Sequence, residues 1–297
     1  MSRKLLFIYN PMSGTSAIKP VLSDLLDLFV KQGFDVTVRP TQARGDACEI
    51  AEARGREFDR IICAGGDGTL DEVATGLLKQ GLQTEIGYIP CGSTNDYAES
   101  VGIPSDLVGA GKIACGKNLS ALDMGSLNED YFIYVAAFGL FTDVSYQTPQ
   151  ELKNILGHTA YVLHALKTLK DIPSSSYMLQ VEYDGNTIYD AFIYGMVTNS
   201  NSVGGIQGII SGDISLSDGL FEVTLIRTPE NPLELSEIIA ALTGVSPESD
   251  LVLTFQTKEL RIISASEIPY TVDGEFGGKH KVARIKNIPR ALRIAIA

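Results

Sequence analysis

The sequence predicts two domains: an α/β domain built on a parallel sheet, then a β-rich domain of antiparallel strands arranged as a sandwich or barrel. Three observations carry that expectation. Up to Asp123, short apolar runs alternate with amphipathic stretches, the pattern of strands joined by helical crossovers. Past Asp123, strand-like runs follow one another closely with turn residues between them, as in antiparallel sheets. The length, 297 residues, also fits two domains at about 100–200 residues each. The expected division is 1–125 and 126–297, with the extreme C-terminus open to packing back on the first domain. No linker-like tract separates the halves, so a cleft between closely packed domains is expected.

In chain order, Lys4–Tyr9 reads as a buried strand because its apolar run is nearly continuous. Ile18–Lys31 places Val21, Leu22, Leu25, Leu28 and Phe29 at helical spacing. Phe34–Arg39 is strand-like, Ala47–Arg54 helical, and Arg60–Ala64 a second buried strand. A glycine-rich turn leads into a helix from about Leu70 to Lys79, followed by strands at Glu85–Ile89 and Asn118–Asp123. The second half has a helical stretch at Pro149–Lys170 among strand candidates at Phe132–Ala137, Tyr177–Tyr183, Thr187–Thr198 and Leu220–Leu225. Further candidates are Leu251–Gln256, Glu259–Ile263, Pro269–Val272 and Val282–Ile285. Asp184-Gly185-Asn186 marks a hairpin turn. Pro232–Leu242 adds a helix, with proline suited to its first turn.

Composition narrows the function. At 44% apolar the chain is globular, and no run approaches the ~18 residues of a membrane span. The N-terminus lacks the cleavage site of a signal peptide. Cys48, Cys63, Cys91 and Cys115 stand far apart, which argues against a zinc site or disulfide framework and for a reducing cytosol. A net charge of −12 argues against nucleic-acid binding, which needs a basic footprint. The charge is uneven, because Lys279, Lys281, Arg284, Lys286, Arg290 and Arg293 lie in a C-terminal stretch with no acidic residue. His158, His164 and His280 belong to no hydrolase-like triad.

Three loops follow strands and converge on one sheet edge. In Asn10-Pro11-Met12-Ser13-Gly14, proline fixes a turn and glycine permits close backbone approach. Gly65-Gly66-Asp67-Gly68-Thr69 lets amides face an anion at a helix N-terminus. Asp67 would repel a phosphate there unless a cation such as Mg²⁺ intervened, or it could cap the helix. Neither common nucleotide fingerprint is present. Pro90-Cys91-Gly92-Ser93-Thr94-Asn95-Asp96 offers helix caps, ligand contacts, or both. In the second half, Asp273-Gly274-Glu275 places two carboxylates on a tight turn, which by itself reads as a hairpin turn, or lets one accept a proton while the other binds metal or orients a neighbour.

These segments, with Thr41 followed by Gly45-Asp46-Ala47, resemble the diacylglycerol kinase catalytic family in order along essentially the whole chain. More narrowly they are similar to the soluble bacterial lipid kinases, related to sphingosine kinases and more distantly to NAD kinases. The resemblance implies a Rossmann-like nucleotide-binding domain and a β-sandwich lipid domain. It implies transfer of the γ-phosphate of ATP to a hydroxyl of diacylglycerol or a related lipid, giving phosphatidic acid or its equivalent. ATP would meet Asn10, Pro11, Ser13, Gly14, Thr41, Gly65, Gly66, the Asp67–Val73 segment with Gly68, Thr69 and Glu72, and Thr94, Asn95 and Lys167. Asp67, Asp96 and Asp123 would form a carboxylate–water network around the nucleotide's Mg²⁺, and Glu275 would be general base with Asp273 assisting. The segment from Asp213 to Leu220 resembles a structural Mg²⁺ site, using the Asp218 carboxylate and the carbonyls of Ser215 and Leu220.

The implied partner is a lipid substrate at the membrane surface, reached by peripheral contact from the cytoplasm, with a homodimer left open. Thr15 stands where relatives often carry lysine, Ser93 where threonine is commoner, and Asp71 where many have asparagine. The alternatives are a soluble-substrate kinase of the NAD-kinase type and a weakly active nucleotide- or lipid-binding homologue.

Overall fold

Arg3–Tyr9 forms β1, whose central residues Leu5 to Ile8 are all fully buried, as a strand covered on both faces requires. The computed structural model describes residues 2–14, 16–92, 95–140, 176–199, 215–243, 245 and 249–297. The chain divides into two units, one of Met1–Asp123 with Pro289–Ala297 and one of Met124–Ile288.

In the first unit, α1 (Ile18–Lys31) buries Ile18, Leu25 and Phe29, so only one stripe of the helix faces the sheet. The Phe29 ring meets Phe7 of β1 edge-on at 5.1 Å. Then come β2 (Phe34–Pro40), α2 (Asp46–Arg54), β3 (Arg60–Gly65), α3 (Asp67–Lys79) and β4 (Glu85–Pro90). Short helices α4 (Asp96–Ser100) and α5 (Leu107–Ala114) lead to β5 (Leu119–Leu127), which crosses into the second unit. β1 pairs in parallel with β2 and β3, and β3 with β4, giving the order β2-β1-β3-β4. The winding direction reverses between β1 and β3, and ligands of doubly wound sheets bind at the carboxyl ends of strands at such a point.

The second unit opens with β6 (Asp130–Phe132), β7 (Val135–Gly139), β8 (Tyr177–Tyr183) and β9 (Asn186–Thr198). It continues with β10 (Phe221–Arg227), α6 (Pro232–Leu242), β11 (Val252–Thr257), β12 (Glu259–Val272) and β13 (Glu275–Ala295). Pairing is antiparallel in the order β11-β10-β9-β7-β12-β13, and β8 pairs with both β9 and β12. One core, including Phe132, Phe138, Phe192, Phe221, Ile262 and Tyr270, fills it.

The expected single strand over Phe132–Ala137 is two strands, because the chain turns at Ile133 and Tyr134. The expected short strand at Val282–Ile285 is the middle of β13, which the sequence disguises with Pro289 and with Arg290 at φ +53°. α5 has no counterpart in the sequence reading. The helix expected at Pro149–Lys170 lies outside the described residues.

The end of β13 belongs to the first unit, where Ile294 pairs in parallel with Ile86. Arginines reinforce that edge. Fully buried Arg60 donates to Glu85 at 2.6 Å and to the carbonyls of Ala114 and Gly116, while Arg3 and Arg293 also pair with Glu85. Burial alone would raise the Glu85 pKa, but hydrogen bonds from Arg60 and Arg3 hold it below the ordinary glutamate value.

Glu85→Gln strands the buried guanidinium without a counter-charge and is expected to cost about 3 kcal/mol in urea unfolding at neutral pH. A depressed native pKa stabilises above the unfolded value near 4.5, so the gap between wild type and variant is expected to close as pH falls below that value.

Candidate active site

β1, β3 and β4 lie side by side in parallel, so the loops leaving their carboxyl ends emerge together. Asn10 donates its amide to Ala64 O at 2.8 Å, and its side chain accepts from Met12 N at 2.9 Å, closing the first loop over its own turn. Gly14 follows at φ +54°, where a Cβ would stand 2.5 Å from the carbonyl oxygen of Cys91. A Cβ on Gly92 would stand 2.7 Å from Gly66 Cα and 2.8 Å from Asn95 Oδ1. The three loops therefore touch backbone to backbone, where only glycine fits. Ser13, with its hydroxyl over Gly66, and Thr41, whose amide donates to Tyr9 O at 2.9 Å, are buried beside them.

Asp67 lies in the first turn of α3, and Gly66 is the N-cap, so the helix starts three residues before the expected Leu70. The N-cap residue, a glycine, supplies no side-chain cap, and the first-turn amides of such a helix suit an anion. Thr69 N bonds to Gly66 O at 2.9 Å, and its side chain packs on Gly65. Gly68 has nothing within 4 Å of a notional Cβ. The Glu72 carboxylate accepts from Gly45 N at 2.8 Å and Ala47 N at 3.1 Å. It thereby holds the start of α2, next to the Thr41 loop.

Asn95 sits at φ +56° and locks its loop, accepting from Gly92 N and donating to Gly92 O, both at 2.8 Å. Asp96 begins α4. Thr94 and Lys167, both expected at the nucleotide, lie outside the described residues. Asp123 is fully buried on β5 and accepts from Arg290 N at 2.7 Å. Burial holds the Cys91 thiol at a pKa of about 11, so it stays protonated at neutral pH and is no hydrolytic nucleophile.

In the second unit, Asp273 and Gly274 both have positive φ and close a two-residue turn between Val272 and Glu275. The Asp273 carboxylate accepts from the amides of Ile133, Tyr134 and Val135 at 2.6, 3.1 and 2.9 Å. Glu275, two residues on, is exposed. The two carboxylates thus differ, Asp273 engaged by three amides and Glu275 exposed.

Asp218 is exposed and accepts from Leu220 N at 3.0 Å, Leu220 O accepts from Asn287 Nδ2 at 3.2 Å, and Ser215 is exposed. Among the described residues, no group of three or more His, Cys, Asp or Glu side chains could hold a metal ion. Glu222, which the sequence reading passed over, is buried on β10. Gln256 donates to one oxygen at 3.1 Å, and the other has no hydrogen-bond partner among the described residues. Burial, with the Asp218 charge adding to it, raises the pKa of its carboxyl.

Residues 4–127 match the diacylglycerol kinase catalytic domain, and residues 137–296 match the YegS C-terminal NAD kinase beta sandwich-like domain. The diacylglycerol kinase of Staphylococcus epidermidis is 34% identical over 281 residues, covering 94% of this chain and 88% of that protein. The chain belongs to the diacylglycerol kinase family. It is therefore an enzyme of the lipid-kinase class. The diacylglycerol kinase of Bacillus subtilis is 33% identical over 273 residues, covering 91% of this chain and 89% of that protein. The crystal structure of a diacylglycerol kinase from Bacillus anthracis covers all of this chain and 97% of that one, with a TM-score of 0.77 at 20% identity. A second structure from that organism reaches 0.86 at 23% identity, covering all of this chain and 96% of its own. At those identities the structures establish the fold, a catalytic α/β domain with a β-sandwich-like partner.

Two alanine substitutions separate the packed glycines from the open one. Gly68→Ala is expected to leave the melting temperature unchanged or raise it, since alanine favours the helix by about 1 kcal/mol and meets nothing. Gly92→Ala is expected to lower it, because the new methyl has backbone against it. Thermal denaturation reads both signs.

Proposed function

We propose that this lipid kinase transfers the γ-phosphate of ATP to a hydroxyl of diacylglycerol or a closely related lipid, giving phosphatidic acid or its equivalent. The observation that carries the reading is the glycine-packed junction of three strand-end loops, with Asp67 at the head of α3. Such a junction presents backbone amides to phosphate oxygens without side-chain obstruction. Asn10, Ser13 and Thr41 add polar groups to the rim of the nucleotide.

A divalent cation is part of this reading. Asp67 offers a hard oxygen donor, which suits Mg²⁺ beside phosphate, while Asp96 and Asp123 would act through a water network rather than as one shared ligand cluster. Mg²⁺, when bound, offsets the charge on the nucleotide's oxygens. For the structural Mg²⁺ the donors are again oxygens alone, from Asp218, the carbonyls of Ser215 and Leu220, and the unpartnered oxygen of buried Glu222. A carbonyl has two lone pairs, so the Asn287 contact leaves Leu220 O able to take a second partner.

In the transfer, the lipid hydroxyl oxygen bonds to the γ-phosphorus as the bond from phosphorus to the bridging oxygen breaks, releasing ADP. Glu275 accepts the hydroxyl proton and passes it to water, which its exposure allows. Asp273 assists by position, since its carboxylate is engaged with three amides of the adjoining turn. Contact with the lipid surface is read as peripheral; among the described residues no helix is long and apolar enough to cross a membrane. Half-exposed Phe276, with exposed Lys279, Lys281 and Arg284, supports that contact on the hairpin that carries Glu275.

Purified protein given Mg-ATP and a panel of diacylglycerol, ceramide, other hydroxylated lipids and NAD is expected to phosphorylate a lipid. Phosphorylation of NAD alone would overturn the substrate class. Glu275→Gln is expected to lower turnover by about 10²–10⁴-fold at an unchanged melting temperature, and undiminished turnover would remove it as base. Mg²⁺ at a hundredfold excess over its Kd is expected to stabilise the wild type by about 2.7 kcal/mol. Asp218→Asn is expected to forfeit that gain, and an equal gain in the variant would place the stabilising ion elsewhere.

A further inference from the structure

Tyr88, the fourth residue of β4, is fully buried, yet its hydroxyl lies where the candidate site's motifs meet. The oxygen is 3.2 Å from Asp67 Oδ1, 3.3 Å from Gly65 O and 3.4 Å from Asn95 Oδ1. One hydroxyl has one proton for these three acceptors. Gly65 O also accepts from Cys91 N at 2.7 Å, and Asn95 Oδ1 from Gly92 N at 2.8 Å. Hydrogen bonds to a charged acceptor are the stronger ones, so the proton belongs to Asp67.

We infer that Tyr88 is a positioning residue, whose hydroxyl orients the Asp67 carboxylate for the divalent cation of a bound nucleotide. The inference rests on the nucleotide reading of this site. Phenylalanine in its place keeps the ring and its packing, and leaves Gly65 O and Asn95 Oδ1 with their other donors.

Calorimetric titration with Mg-ATP and with metal-free ATP, in the absence of lipid, tests this. Tyr88→Phe is expected to weaken Mg-ATP binding about tenfold, the worth of one hydrogen bond to a charged group, and to leave metal-free ATP binding unchanged. In an Asp67→Asn background the same substitution is expected to have no effect on Mg-ATP binding, since the pair acts as a unit. An equal loss in both backgrounds, or an equal loss for both forms of ATP, would overturn the inference and make Tyr88 a packing residue. A second measurement leaves Tyr88 in place. Its ring-carbon NMR signal in the wild type is expected to shift with Mg-ATP, and a signal unmoved by saturating Mg-ATP would also overturn the inference. Wild type that binds neither form of ATP would refute the nucleotide reading itself, and the inference with it.

Discussion

The first unit is organised by a steric constraint: three loops share a space in which two of the contacts admit no Cβ. Parallel strands β1, β3 and β4 deliver the loops to one edge, but register alone would leave side chains between them. Gly14 against the Cys91 carbonyl and Gly92 against Gly66 remove that separation. The backbones of the three loops are thereby brought into direct contact, with polar groups beside them. Asn95 locks to Gly92 through two hydrogen bonds, while Thr69 seals Gly65 from the helix side. Backbone conformation, rather than any single side chain, therefore sets the site's shape. Side chains set its charge.

In the second unit, the turn that leads to Glu275, the proposed base, is fixed at Asp273. A carboxylate open to water is free to exchange protons, yet exposure ordinarily brings mobility. Here rigidity comes from the turn itself. Asp273 adopts a positive φ and accepts three amides from the Ile133–Val135 bend, and its own amide donates to Val135 O at 2.8 Å. The hairpin is thereby anchored two residues before Glu275.

What the sequence disclosed follows from the physics of each signal. Continuous apolar runs such as those of β1 and β3 are legible because strands buried on both faces have no polar positions. The glycine motifs are legible because their chemistry is local. β13 was only partly legible: Pro289 and a non-glycine positive φ at Arg290 interrupt its pattern, and its last residues pair with β4, far away in sequence. The bend at Ile133 is invisible locally, since the carboxylate that makes it stands 140 residues away. Tyr88 and Glu222 were passed over for a related reason. Each sits inside a strand among apolar neighbours, where a polar tip reads as an ordinary strand residue. Only the packed neighbours reveal what the tip meets.

The same logic divides the basic C-terminal stretch, which looks uniform in sequence. Arg293 pairs with Glu85 and so belongs to the edge that fixes the end of β13. Lys286 pairs with Glu259 across β12 and β13. Both charges are largely neutralised where they stand. Lys279, Lys281 and Arg284 have no ion pair among the described residues, and they follow Glu275 and half-exposed Phe276 on one hairpin arm. On a chain of net charge −12, which an anionic surface would repel as a whole, an unneutralised cluster matters only within about a Debye length. Long-range attraction is therefore a poor account of how this protein would reach a membrane. On the proposed function, short-range charge beside an aromatic side chain would act on the same arm as the proposed base.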